Sequence, residues 1–96
     1  MKRPLVVGPI AEREVEESAH WYEAREFGLG QSFVDEVLQA FDAIEAGPET
    51  FPFLRAPYRR KLLDRFPYAV IYKVTSRRIY VRAVAAGRRR PGYWDT

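Results

Sequence analysis

The sequence predicts an α+β fold made of a β-strand, an antiparallel two-helix hairpin and then a three-stranded antiparallel β-meander. Three observations predict it. Apolar residues recur every three or four positions up to Gly47-Pro48, and beyond that point the period shortens to the alternation of strands. Gly8-Pro9, the two glycines of Phe27-Gly28-Leu29-Gly30 and Gly47-Pro48 mark the bounds of the two helical segments. With 96 residues, 47% of them hydrophobic, the chain has room for one domain, 1–96, with one core.

Each element has its own signal. Leu5-Val6-Val7 is a short apolar run closed by Gly8-Pro9, which hands over to a helix with proline in its first turn. Over residues 10–26, Ala11, Val15, Ser18, Ala19 and Tyr22 define a narrow buried stripe, with Glu12, Glu16 and Glu23 opposite. Phe27-Gly28-Leu29-Gly30 breaks this helix. Phe33, Val34, Val37, Leu38, Phe41 and Ile44 then mark a second, with Phe41 expected in the core, stopped by Gly47-Pro48. Residues 49–57 are proline-rich and read as irregular. Residues 58–63, 68–74 and 79–85 are rich in β-branched and aromatic side chains, and their four-residue connections suit hairpin loops. In the middle strand Tyr68, Val70, Tyr72 and Val74 share one face and Ala69, Ile71 and Lys73 the other; either could meet the helices. The tail from residue 87 has no period and reads as a loop or extended segment.

Charge is sorted along the chain. Residues 1–54 hold 4 Lys/Arg against 11 Asp/Glu, a balance of −7, whereas residues 55–96 hold 12 against 2, or +10. Such asymmetry is the footprint of a surface that meets a polyanion or an acidic partner. The absence of cysteine excludes disulfides, thiolate catalysis and Cys-based zinc sites, and a lone histidine, His20, cannot build a His-rich metal site. No metal and no cofactor is expected. No apolar run approaches the ~20 residues of a membrane span, and the N-terminal run is too short for a signal-peptide core, so a cytoplasmic protein without membrane contact is expected.

The candidate interaction residues are basic and aromatic: Arg59, Arg60, Lys61, Arg65, Arg82, Arg88, Arg89 and Arg90, interleaved with tyrosines and followed by Tyr93-Trp94. Arginine forks bind phosphate bidentately and aromatic rings stack on bases, so this mixture suits RNA or DNA. On an ordinary strand the same residues would be a solvated face with a tyrosine core; the Arg88-Arg89-Arg90 run beside Tyr93-Trp94 is the stronger signal. Glu12, Glu14, Glu16 and Glu17 have no partner at metal or acid/base spacing and are expected to keep the first helix soluble.

These residues also resemble a known family. Ala19-His20-Trp21-Tyr22-Glu23, then Phe27-Gly28-Leu29-Gly30 before Phe33, then Ile44 followed by Pro48-Glu49 and Phe51-Pro52, is similar to the helical hairpin of the RelE/ParE superfamily of type II toxins. Arg59-Arg60-Lys61-Leu62-Leu63, Phe66-Pro67-Tyr68 leading into Ile71-Tyr72, and Ala83-Val84-Ala85 before Arg88-Arg89, Pro91 and Tyr93-Trp94 resemble its strands and C-terminal motif, in the ParE-type or plasmid stabilisation variety.

The resemblance implies a toxin neutralised by a cognate antitoxin in a hetero-oligomer. It implies one of two targets: DNA gyrase for ParE-like members, which cut no RNA, or ribosome-bound mRNA for RelE-like endonucleases. A ribonuclease would place catalysis on Arg65, Arg89 and Tyr93; a binder would use Arg59, Arg60, Arg65, Arg82, Arg88, Arg89, Arg90, Tyr93 and Trp94. Two departures favour the binder. Ala69 stands two residues after Pro67, where RelE-type enzymes keep an arginine, and Ala86 and Arg90 stand where many ParE-type sequences carry a histidine and an aspartate around Gly-Arg-Arg. The expected function is therefore a gyrase-inhibiting toxin. The alternatives are an mRNA endonuclease and a non-toxic homologue that only binds an antitoxin.

Overall fold

Proline and glycine set where the chain turns, and the two apolar periods set what packs between the turns. The structure, a computed structural model, describes residues 3–87, 89–90 and 92–95. Strand β1 (Leu5–Val7) leads into helix α1 (Pro9–Arg25), with Pro9 in its first turn, and then helix α2 (Leu29–Ala46). Four strands follow: β2 (Phe53–Arg55), β3 (Tyr58–Leu62), β4 (Tyr68–Val74) and β5 (Ile79–Ala86), before a single 3₁₀ turn over Tyr93–Asp95.

The turn between the helices shows why Phe27-Gly28-Leu29-Gly30 has its glycines. Gly28 takes a left-handed conformation, φ 85°, that few residues other than glycine adopt cheaply. Gly30 lies so close to α1 that a Cβ there would stand 2.5 Å from the Ala19 carbonyl oxygen. Glu23 clamps the turn, its carboxylate accepting the Gly28 N–H at 2.9 Å and the Gly30 N–H at 3.0 Å.

The sheet departs from the expected strand-plus-meander. It is one five-stranded mixed sheet in the order β1-β5-β4-β3-β2. The antiparallel run β3-β4-β5 is present as expected, with Arg60 opposite Ile71 and Val70 opposite Val84. Strand β1 joins it in parallel beside β5, through Leu5 opposite Ile79 to Val7 opposite Val81. The proline-rich segment read as irregular contributes β2, which pairs with β3 across an irregularity at Phe53 and Arg55. A three-residue strand lying between Pro52 and Pro57 is too short to show an alternation, so composition conceals it.

The face left open by the sequence is resolved by packing. Val70 and Tyr72 of β4, with Ile79, Val81 and Val84 of β5, join Ala11, Phe33, Val37, Ala40 and Ile44 of the helices in the main core. Val81 and Val84 are three apart yet share this core because Arg82 is an extra residue, with Tyr72 opposite Val81 and Ile71 opposite Ala83. Phe33 is fully buried, its ring 5.3 Å from that of Phe66 and 4.8 Å from that of Tyr68. Phe41, expected in the core, is only half-buried and packs at its margin. Tyr72 is fully buried, and its hydroxyl donates to the Pro48 carbonyl at 2.7 Å, tying the sheet to the end of α2.

Phe33→Ala is expected to cost about 3–5 kcal/mol, the range for a fully buried phenylalanine, and Phe41→Ala markedly less. Urea unfolding of the two variants checks this; equal losses would contradict the placement of Phe33 at the centre.

Candidate protein- or nucleic-acid-binding face

The helices cover one face of the sheet, and the C-terminal residues partly cover the other. Ile71, Ala83 and Trp94 form a second buried cluster there, flanked by Tyr58, Ala85 and Tyr93. The Trp94 ring meets Tyr58 edge-on at 4.6 Å. Beside it runs a groove of about 580 Å³, floored by Leu54, Leu62, Ala69, Ile71, Ala85 and Trp94, with Arg60, Arg89 and Arg90 on its walls. Leu54 and Leu62 are among the most exposed large apolar side chains described. An apolar floor walled by guanidinium groups suits a partner that is apolar in the middle and anionic at the margin.

The candidate arginines divide by what they already hold. Arg60 shares the open face because it lies opposite Ile71, whereas Arg59 lies opposite Tyr72 on the helix side. There Arg59 donates to the carbonyls of Glu49 at 3.2 Å and Phe51 at 2.8 Å and covers the Phe53 ring at 3.9 Å, so it shapes the loop before β2. Arg65 is bound to Glu36, donating its backbone N–H at 2.9 Å and its Nε at 3.1 Å. Arg82, the extra residue of β5, is half-buried. Arg89 and Arg90 are exposed on the groove, and Arg88 lies outside the described residues. Arg55, which sequence reasoning did not single out, reaches the groove from β2 but is paired with Asp95.

The two aromatic candidates are also engaged. Trp94 is only 3% exposed, so its ring belongs to the second cluster and meets the groove only as part of its floor. Tyr93 donates its hydroxyl to Glu14, and the Arg89 guanidinium lies 5.0 Å from its ring. Burial, the hydrogen bond to Glu14 and the Glu14 charge push the Tyr93 hydroxyl far above its ordinary range, against the opposing pull of Arg89 and Arg82. Its proton is held at every physiological pH.

Two buried acidic residues were missed, and one of them, Glu14, corrects the expectation that the acidic residues of the first helix merely keep it soluble. Glu14 is 9% exposed and Glu36 7%. Glu14 accepts the Val84 backbone N–H at 2.8 Å as well as the Tyr93 hydroxyl. The signal for it was position: Glu14 follows Ala11 by three and precedes Ser18 by four, on the buried stripe of α1. Among the described residues that line the groove there is no histidine and no carboxylate. Its two hydroxyl groups are committed, Tyr68 to Ser18 at 3.0 Å and Tyr93 to Glu14. His20 lies elsewhere, exposed in a hollow at the helix turn with Phe27 and Val34. No cluster of three or more metal-ligating side chains occurs among the described residues, and no described helix is long and apolar enough to cross a membrane.

No protein family matches the sequence, and no curated protein does. A solved structure does match: a chain from the chromosomal ParDE TA system from P. aeruginosa superposes with a TM-score of 0.77, covering 88% of this chain and 96% of that one. Its sequence is 13% identical, so what the two chains share is the fold.

Glu36 sets a pH dependence. Burial pushes its carboxyl up, but the N–H groups of Arg65 and Phe66 and the Arg65 guanidinium together outweigh burial and hold it below the ordinary value of 4.5. A carboxyl depressed in the folded state adds stability above its unfolded value, and that stability is lost as pH falls through the folded value. The stability gap between the protein and its Glu36→Gln variant is therefore expected to be full at neutral pH and to close below pH 4.5. Urea titrations at several pH values check this; a gap that stays constant down to about pH 3 would contradict it.

Proposed function

We propose that this chain is the toxin of a toxin-antitoxin pair and that it acts by binding, with DNA gyrase as its target. The observation that carries the reading is the chemistry of the groove: exposed arginines over an apolar floor, with both hydroxyl groups committed and neither imidazole nor carboxylate among the described lining residues. Metal-free RNA cleavage needs a group to take the 2′-hydroxyl proton and another to protonate the leaving oxygen. Tyr93, the candidate acid, is bound to Glu14, and Arg65, the candidate cation, is bound to Glu36. A protein that holds a protein–DNA complex needs surface and charge but no titrating group near neutrality.

The fold shared with a chain of the ParDE TA system supports a two-component reading. In it, a cognate antitoxin forms a hetero-oligomer with this chain and covers the basic half. An acidic, amphipathic antitoxin segment matches the +10 balance of residues 55–96. On a shared fold activity resides in the site, so the target is argued from the groove.

The purified protein is expected to inhibit gyrase supercoiling and to trap cleaved DNA at both low and high salt, since simple charge-driven DNA binding fades with salt. Arg89→Ala with Arg90→Ala is expected to weaken inhibition roughly tenfold or more, as loss of central arginines does at interfaces, while changing stability by only ~0.5 kcal/mol. No effect on gyrase from a protein that arrests growth and halts translation would overturn the gyrase reading in favour of mRNA cleavage. Undiminished inhibition by the folded double variant would remove the basic groove from the binding face.

A further inference from the structure

A buried carboxylate needs partners, and those of Glu14 come from two places far apart in sequence. Strand β1 pairs with β5 only as far as Val81, and the Gly8 N–H closes that stretch on the Val81 carbonyl at 2.9 Å. Beyond it, no strand among the described residues pairs with the outer side of β5. Glu14, reaching down from α1, takes the place of one at Val84. Its second oxygen receives the Tyr93 hydroxyl. One side chain thus joins the first helix, the far end of β5 and the C-terminal turn.

That turn carries the groove. Tyr93 adjoins Trp94, whose ring closes the second cluster on Ile71 and Ala83, and Arg89 lies against the Tyr93 ring. Arg89, Arg90 and Trp94 all line the groove. We infer that Glu14 is the positioning residue of this face: by tying Tyr93 to Val84 it seats Trp94 in the floor and holds Arg89 and Arg90 over the groove. The part of the inference that concerns activity rests on the reading of the groove as the target-binding face; the seating of Trp94 does not.

A second anchor could do the same work, because Asp95 in the same turn is paired with Arg55. The two differ in burial. Glu14 is shielded from water and salt, whereas the Arg55 and Asp95 side chains are 62% and 42% exposed, and exposed pairs contribute little. The Glu14–Tyr93 link is therefore the one that holds the segment.

The test uses the full chain with Trp21→Phe, which leaves Trp94 as the sole tryptophan. Tyr93→Phe removes one hydroxyl and keeps both the ring and the Glu14–Val84 bond. It is expected to raise acrylamide quenching of Trp94 several-fold at temperatures where the far-UV spectrum stays native, and to weaken growth arrest on induction. Asp95→Asn, an exposed change that leaves the fold intact, is expected to leave Trp94 quenching at the parent level. Trp94 that remains protected in Tyr93→Phe would overturn the inference, as would exposure of Trp94 by Asp95→Asn. Exposed Trp94 with undiminished growth arrest would overturn the positioning role. Failure of the parent protein to inhibit gyrase would count against the proposed target alone, since Trp94 quenching is read without it.

Discussion

The open face of this sheet depends on one buried carboxylate. A helix hairpin can cover only one side of a sheet, and a three-residue β1 can close only part of an edge. What remains is an outer edge on β5 whose Val84 N–H would cost about 1–3 kcal/mol if buried without a partner. Glu14 meets that need, and with its second oxygen it captures the chain end. A glutamine at this position could fill the space but has only one acceptor oxygen, whereas Glu14 offers a separate oxygen to each donor. The edge of the core and the shape of the basic face therefore share a residue.

The sorting of charge along the sequence becomes a sorting in space through the topology. Residues up to Ala46 supply the helical layer, and residues from Phe53 supply all but one of the strands, so the acidic half caps one side and the basic half faces outward from the other. Not every basic residue is available there. Arg59 and Arg65 stabilise loops, and Arg55 is paired. Among the described residues, the free positive charge on the groove is thus concentrated in Arg60, Arg89 and Arg90, around apolar side chains that water solvates poorly.

Much of the fold was legible because its signals are local. The periodicity that ends at Gly47-Pro48 gave two helices, and the β-branched runs gave three strands with their neighbours. Strand β2 was not legible, since Phe53–Arg55 is too short to alternate and sits between prolines. Nor was the parallel docking of β1, which depends on where the helices return the chain. In the site, Arg60, Arg89 and Arg90 were legible as basic residues near aromatic ones. Glu14 and the burial of Trp94 were not, because each is defined by a contact across most of the chain: Glu14 to Val84 and Tyr93, Trp94 to Tyr58. Charge on a helix is read as solvent-facing by default, and only the stripe position of Glu14 hinted otherwise.

Backbone amide hydrogen exchange at Val84, measured by NMR on the unmodified protein, tests the central claim most directly. If the Glu14 carboxylate replaces a missing strand at that edge, the Val84 amide exchanges as slowly as amides inside the β4–β5 ladder and opens only with the whole domain. An amide that exchanges at the rate of an exposed sheet edge would contradict the account, because the C-terminal turn would then have no fixed point to hold to.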